Sequence, residues 1–179
     1  ASGRCFSRLL LMDHLWTPWR MPYLKNGSTD NSSQCIFCAK ASSADDATAH
    51  MLRRGTYCFV TLNLYPYNNG HLMVAPYAHI GTLEELDVST LTELMVLTQQ
   101  ALRVLRAAYQ PHAFNVGINQ GTAAGAGIAE HLHQHIVPRW YGDTNYMTVI
   151  GQTRVIPEWI DETYRVLKAL WDEMFPAVG

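Results

Sequence analysis

The sequence predicts an α+β domain, an antiparallel sheet of about five strands with one long helix between strand pairs and a second helix at the C-terminal end. Three observations carry that expectation. Short apolar runs recur between turn signals, one amphipathic stretch is far too long for a strand, and histidines at 131, 133 and 135 repeat with the two-residue period of extended chain.

The elements follow in order. Asn26 to Ser33 and Ala39 to Thr48 are small, polar and turn-rich, so both read as loops flanking Cys35-Ile36-Phe37-Cys38. From Thr56 to Leu62, Cys58, Val60 and Leu62 alternate with Tyr57, Phe59 and Thr61, a strand apolar on both faces. Pro66 to Gly70 turns the chain, and Leu72 to Ala75 forms a second strand that Pro76 ends. The long helix takes Asp87 or Ser89 as N-cap and carries Leu91, Leu94, Met95, Leu102, Leu105 and Ala108 as its apolar stripe, with Pro111 closing it. Phe114, Val116 and Ile118 mark a third strand, Gly121 to Gly127 a small-residue loop, and the histidine strand follows. A last helix begins at Pro157, in its first turn, and places Ile160, Tyr164, Leu167, Trp171 and Met174 on one side.

At 179 residues and 48% hydrophobic, the chain can bury one sizeable core. The expectation is a single domain over residues 16–179, preceded by an N-terminal extension over 1–15. Its 13 Lys and Arg are scattered and its formal net charge is -2, which leaves no electrostatic footprint for polymeric nucleic acid. No apolar run reaches a membrane span, and Leu9-Leu10-Leu11 is too short for a signal peptide, so a cytoplasmic protein is expected.

In an extended segment His131, His133 and His135 would place three imidazoles on one surface at roughly 6 to 7 Å spacing. Mutual proximity disfavours charging them all, leaving at least one neutral near pH 7 as a nucleophile or metal ligand. A phosphorus-attacking imidazole needs one nitrogen open and the other held as a donor, and the strand's own carbonyls can hold it. The upstream Asn119-to-Gly127 loop is small enough for backbone amides to approach phosphate oxygens. Cys35 and Cys38 form a C-x₂-C pair, two thiolates of a tetrahedral zinc site, and with Cys5 and Cys58 standing alone, histidines are the natural completion. His14, His50 and His112 read as surface or capping residues. Trp140 suits base stacking and a core or interface position equally.

His131-Leu132-His133-Gln134-His135-Ile136-Val137 resembles the signature of the histidine triad superfamily, and Leu62 to His79 resembles its nucleotide-pocket strand and hairpin. Thr17-Pro18-Trp19-Arg20, Cys35-Ile36-Phe37-Cys38, the Ala-Gly-Ala-Gly loop and Pro138-Arg139-Trp140 are most similar to actinobacterial diadenosine tetraphosphate phosphorylases. That resemblance implies His133 as nucleophile, His135 at the phosphate and leaving group, and His71 in support. It implies Asn63 on the ribose and Leu64 on the base, with Asn119, Gly125 and Gly127 on phosphates. Structural zinc would be completed by His79 and His131, while magnesium can accompany the substrate without being required. The implied reaction is phosphorolysis of diadenosine tetraphosphate to ATP and ADP through a nucleotidyl-histidine, with nucleotide and inorganic phosphate as partners in a homodimer or tetramer. Hydrolysis of the same substrate or of a nucleoside phosphoramidate is the alternative, and a zinc-stabilised nucleotide-binding module without turnover is a third reading. Two departures stand out: Gln134 is polar where the family carries an apolar residue, and the Ser common shortly before the triad is replaced near Gly127.

Overall fold

The computed structural model describes residues 35–144, 150 and 156–176; the expected extension over 1–15 and the loop at Asn26 to Ser33 lie outside them. Five strands form one antiparallel sheet: β1 Met51–Arg54, β2 Cys58–Leu62, β3 Leu72–Pro76, β4 Ala113–Ile118 and β5 Gln134–Arg139, in spatial order β1-β2-β3-β5-β4. A short helix α1, Ile36–Ser42, precedes the sheet. The long helix α2, Val88–Tyr109, joins β3 to β4, and α3, Ile160–Met174, follows. This is the expected fold class.

Alternation sorts the strands onto two faces. Cys58, Val60, Leu62, Leu72, Val74, Leu132 and Ile136 point toward α2 and α3 and form the larger core with Leu94, Ala101, Leu105, Leu167 and Trp171. Phe59, Met73 and Ala75 point the other way and pack with Phe37, Ala49 and Met51 in a smaller core. The second face is the one on which His133 and His135 stand, because their neighbours Leu132 and Ile136 belong to the first.

Several boundaries differ from the sequence reading, each for a visible reason. β2 begins at Cys58 because Glu93 from α2 takes the amides of Thr56, Tyr57 and Cys58 on its carboxylate, drawing the preceding residues out of the ladder. Asp87 is the N-cap of α2, accepting from the Thr90 amide at 2.8 Å. The buried stripe of α2 is Thr90, Leu94, Leu97, Thr98, Ala101, Val104 and Leu105, while Met95 is 57% exposed. The stripe is therefore rotated from the expected one, because small and hydroxyl residues fit closest to the sheet. α3 starts at Ile160 and not at Pro157; Trp159 is its N-cap, and Glu158 is held outside the helix by Tyr109 and Thr163 hydroxyls. Residues 39–42, expected as loop, continue α1, and β1 was not anticipated at all. The pairing of β5 starts at Gln134, so His131 and His133 lie just before the ladder, with His131 at a bend.

Candidate functional site

The polar spacer Gln134 explains how the histidine segment is seated. It turns into the core side, where its amide donates to Thr98 Oγ1 at 2.6 Å, and that hydroxyl donates to the Leu94 carbonyl at 2.7 Å. A buried polar group with a partner costs little and fixes register. The flanking His133 and His135 are thereby directed to the opposite face.

There His133 is 5% exposed, and its Nδ1 lies 2.8 Å from the His131 carbonyl. A carbonyl only accepts, so Nδ1 carries the proton and Nε2 keeps its lone pair. Burial pushes this imidazole toward its neutral form, and the carbonyl hydrogen bond offsets part of that push. The His133 ring is 4.7 Å from Phe37 and 4.9 Å from the His135 ring, centroid to centroid. Such a group is held neutral, with one orientation and with Nε2 able to accept or attack.

His71 and His135 form a second pair. The Tyr67 amide donates to His71 Nδ1 at 3.0 Å, with the Asn63 side-chain amide 3.3 Å away, so the His71 proton sits on Nε2. That nitrogen donates to His135 Nδ1 at 3.0 Å, which puts the neutral His135 proton on its own Nε2. The fully buried His71 thus sets the tautomer of the partly exposed His135. The Tyr67 ring stacks against both, 4.6 Å from His71 and 5.6 Å from His135. Tyr67 has no spacing signature, and no local pattern singles it out.

The first triad histidine faces elsewhere. His131 donates from Nε2 to the Pro76 carbonyl at 2.9 Å, leaving Nδ1 toward the cysteines. Nδ1 is 3.4 Å from Cys35 Sγ, 3.6 Å from Cys38 Sγ and 3.3 Å from His79 Nδ1, and His79 Nδ1 is 3.3 Å from Cys38 Sγ. All four donor atoms lie within 4.8 Å of one another, a cluster that could hold a metal ion. Burial, then repulsion from Cys35, raises the Cys38 thiol above its ordinary range, and burial favours neutral His131. α1 supplies the two sulfurs and also Phe37, whose ring packs on both His131 and His133. One side chain thus joins the cluster to His133, a link invisible in the spacing.

The remaining expected residues are distributed around two cavities. One of about 510 Å³ is lined by Asn63, Leu64 and His71 together with Glu158 and Trp159. A second of about 250 Å³ is lined by Asn119 and His135 together with Tyr67, Asn115, Gly117 and Arg139. Gly125 adopts a left-handed φ of 89°, as only glycine does readily, but its amide already donates to Thr122 within the loop. Gly127 is exposed. Trp140 lies beyond β5 with its indole N–H on the Tyr109 carbonyl at 3.3 Å, and it lines neither cavity. His50 is half-buried and clasps Asp161 at 2.8 Å, while exposed His112 accepts from the Tyr141 amide.

Comparison with known proteins bears on this geometry. The family description "HIT domain" matches residues 45–141. A Mycobacterium tuberculosis protein named AP-4-A phosphorylase is 44% identical over 165 residues, 89% of this chain and 85% of that one. A Schizosaccharomyces pombe bis(5'-nucleosyl)-tetraphosphatase (asymmetrical) is 34% identical over 82 residues, covering 46% of this chain and 44% of its own. Among solved structures, a zinc-bound histidine triad family protein from Mycobacterium smegmatis superimposes with a TM-score of 0.63 at 26% identity, covering 79% of this chain and 95% of that one.

Proposed function

Since the chain belongs to the HIT domain family, we propose that it is a nucleotidyltransferase that cleaves diadenosine tetraphosphate with inorganic phosphate to give ATP and ADP. The observation that carries this reading is the tautomer of His133, with Nδ1–H held by the His131 carbonyl and Nε2 open. In the first half-reaction Nε2 attacks the α-phosphorus and the bond to the bridging oxygen breaks. His135, whose Nε2–H is fixed by its contact with His71, donates a hydrogen bond to the departing ATP oxygen and eases its departure as the anion. In the second half-reaction phosphate takes the adenylyl group from the histidine.

Asn63 binds the ribose hydroxyls and Leu64 packs on the base. Asn119, Gly125 and Gly127 hold phosphates, while Trp140, with its indole N–H on the Tyr109 carbonyl and outside both cavities, takes the packing role. The name of the Mycobacterium tuberculosis relative, 44% identical over most of both chains, supports the phosphorolytic form over the hydrolytic one.

Zinc is proposed at Cys35, Cys38, His79 and His131. With Zn–S near 2.3 Å and Zn–N near 2.0 to 2.1 Å, a tetrahedron has S···N edges of about 3.6 Å and N···N edges of about 3.3 Å. The measured 3.3 to 3.6 Å edges support that fit, as does the zinc-bound neighbour. The ion would stabilise the thiolates and fasten α1 to the sheet, with no part in the bond changes. Magnesium can accompany the polyphosphate. A homodimer, assembling further to a tetramer, and a cytoplasmic setting complete the proposal; no helix among the described residues is long and apolar enough to cross a membrane.

The test is incubation with diadenosine tetraphosphate with and without inorganic phosphate, followed by chromatography of the nucleotides. ADP with ATP, dependent on phosphate, is the expected result. AMP with ATP in excess phosphate would overturn it in favour of hydrolysis.

A further inference from the structure

Acceptor choice has a structural basis in the smaller cavity. Residues 115, 117 and 119 of the β4 segment alternate with one another on the same sheet face as 135, 137 and 139 of β5, and together with Tyr67 they wall a space of about 250 Å³. That is below the usual size for a nucleoside-sized ligand and suits a phosphate group. His135 lines it, and its ring is 4.9 Å from the His133 ring. Of the described residues lining either cavity, Arg139 is the one lysine or arginine.

The Arg139 guanidinium is held in a fixed plane. Nε and Nη2 donate to the Asp143 carboxylate at 2.6 and 2.9 Å, and Nη1 donates to Asn115 Oδ1 at 2.7 Å. Those bonds use three of its five N–H donors, leaving two. With its oxygen occupied by Arg139, Asn115 presents its NH₂ group to the surroundings. The cavity wall therefore offers donors from Arg139, Asn115 and Asn119 and is suited to an oxyanion.

We propose that this cavity is the acceptor subsite and that Arg139 and Asn115 determine the preference for phosphate over water. The inference rests on the phosphorolytic reading above. In-line displacement sends the leaving oxygen out opposite His133 Nε2 and brings the incoming oxygen in from the same side, so one subsite serves both. In the second half-reaction an oxygen lone pair of the phosphate dianion forms the new P–O bond. The P–Nε2 bond breaks and its electron pair returns to His133 Nε2, giving ADP and a neutral imidazole. No proton needs to leave the attacking phosphate oxygen. Water attacking at the same point would have to release one to a base. A seated phosphate thus excludes water and reacts without proton transfer.

The full chain is turned over on diadenosine tetraphosphate at one fixed phosphate concentration, and the ADP to AMP ratio is read for the parent, Arg139→Gln and Asn115→Asp. Asn115 is exposed, so its substitution leaves the fold intact even where loss of the Arg139 anchor disturbs the Asp143 turn. The ratio reports partition of one intermediate and is independent of how much enzyme is folded. Both variants are expected to lower it roughly ten-fold or more, the effect of losing a hydrogen bond to a charged group. A parent-like ratio in Asn115→Asp overturns the acceptor-site assignment while leaving phosphorolysis intact. AMP as the parent's sole product with ATP would instead overturn the phosphorolytic reading itself.

Discussion

Phe37 packs between His133 and the cluster of Cys35, Cys38, His79 and His131, and its truncation should damage both. The ring is 1% exposed and packs 4.7 Å from His133 and 5.1 Å from His131, centroid to centroid. Phe37→Ala removes about 130 to 150 Å² of buried apolar surface, which at about 25 cal/mol per Å² is roughly 3.5 kcal/mol before any cavity cost. Measured Phe-to-Ala substitutions in cores fall at about 3 to 5 kcal/mol, a large share of a domain's total stability of about 5 to 15 kcal/mol. Urea unfolding should therefore show a midpoint lower by roughly 1 to 2 M. Metal content and turnover should fall with it, because the same ring positions His131 and His133. Phe37→Leu, which fills most of the volume, should recover most of all three. A loss below about 1 kcal/mol for Phe37→Ala, or full turnover at normal metal content, would refute the packing argument.

Removal of metal by a strong chelator, or Cys38→Ser, should release about one zinc per chain and lower the melting temperature, since ligand affinity adds to folding free energy; zinc-free protein with an unchanged melting temperature would count against the cluster as a zinc site. Asp143 is held well below the usual carboxylate range, first by hydrogen bonds from Arg139. A depressed folded-state pKa contributes stability above the unfolded value of about 4 that is lost as pH falls through and below it. Asp143→Asn should accordingly flatten the acid limb of the melting-temperature profile while costing about 1 kcal/mol at neutral pH, the Arg139 partner being 41% exposed and screened; parallel acid limbs would contradict this. The Cys58 thiol, pushed up to about 12 by burial and then by Glu93 and Asp87, should remain unalkylated in peptide mapping after iodoacetamide at pH 8 in the folded protein, and its labelling there would show that the core under α2 opens.

The parts legible in the sequence were those written in local periodicity. β2 and β3 carry apolar residues on both faces, and both are fully buried between two cores. The Asp87 cap and the long helix follow from adjacent residues. The grouping of His79 and His131 with the C-x₂-C pair came from family resemblance and not from spacing, because those ligands are separated by 41 to 96 positions. Contacts of that range leave no local trace. Glu93 capping the β1–β2 hairpin, Gln134 reaching Thr98 and Phe37 bridging two histidines are all of this kind. β1 escaped notice because Met51-Leu52-Arg53-Arg54 is short, half basic and interrupted by a bulge. In the sequence Asn115 is legible only as a strand position and Arg139 only through the Pro138-Arg139-Trp140 resemblance, since their shared cavity exists only after β4 pairs with β5.

The central claim is that His133 Nε2 becomes covalently bonded to phosphorus during turnover. Reactions with diadenosine tetraphosphate in the absence of inorganic phosphate, quenched with denaturant at alkaline pH, where the P–N bond survives, and examined by intact-protein mass spectrometry and peptide mapping at the same pH, test it directly. One adenylyl adduct per chain is expected, located on His133, discharged to ADP when phosphate is added before the quench and lost in His133→Ala. An adduct on another residue, or turnover retained by His133→Ala, would contradict it.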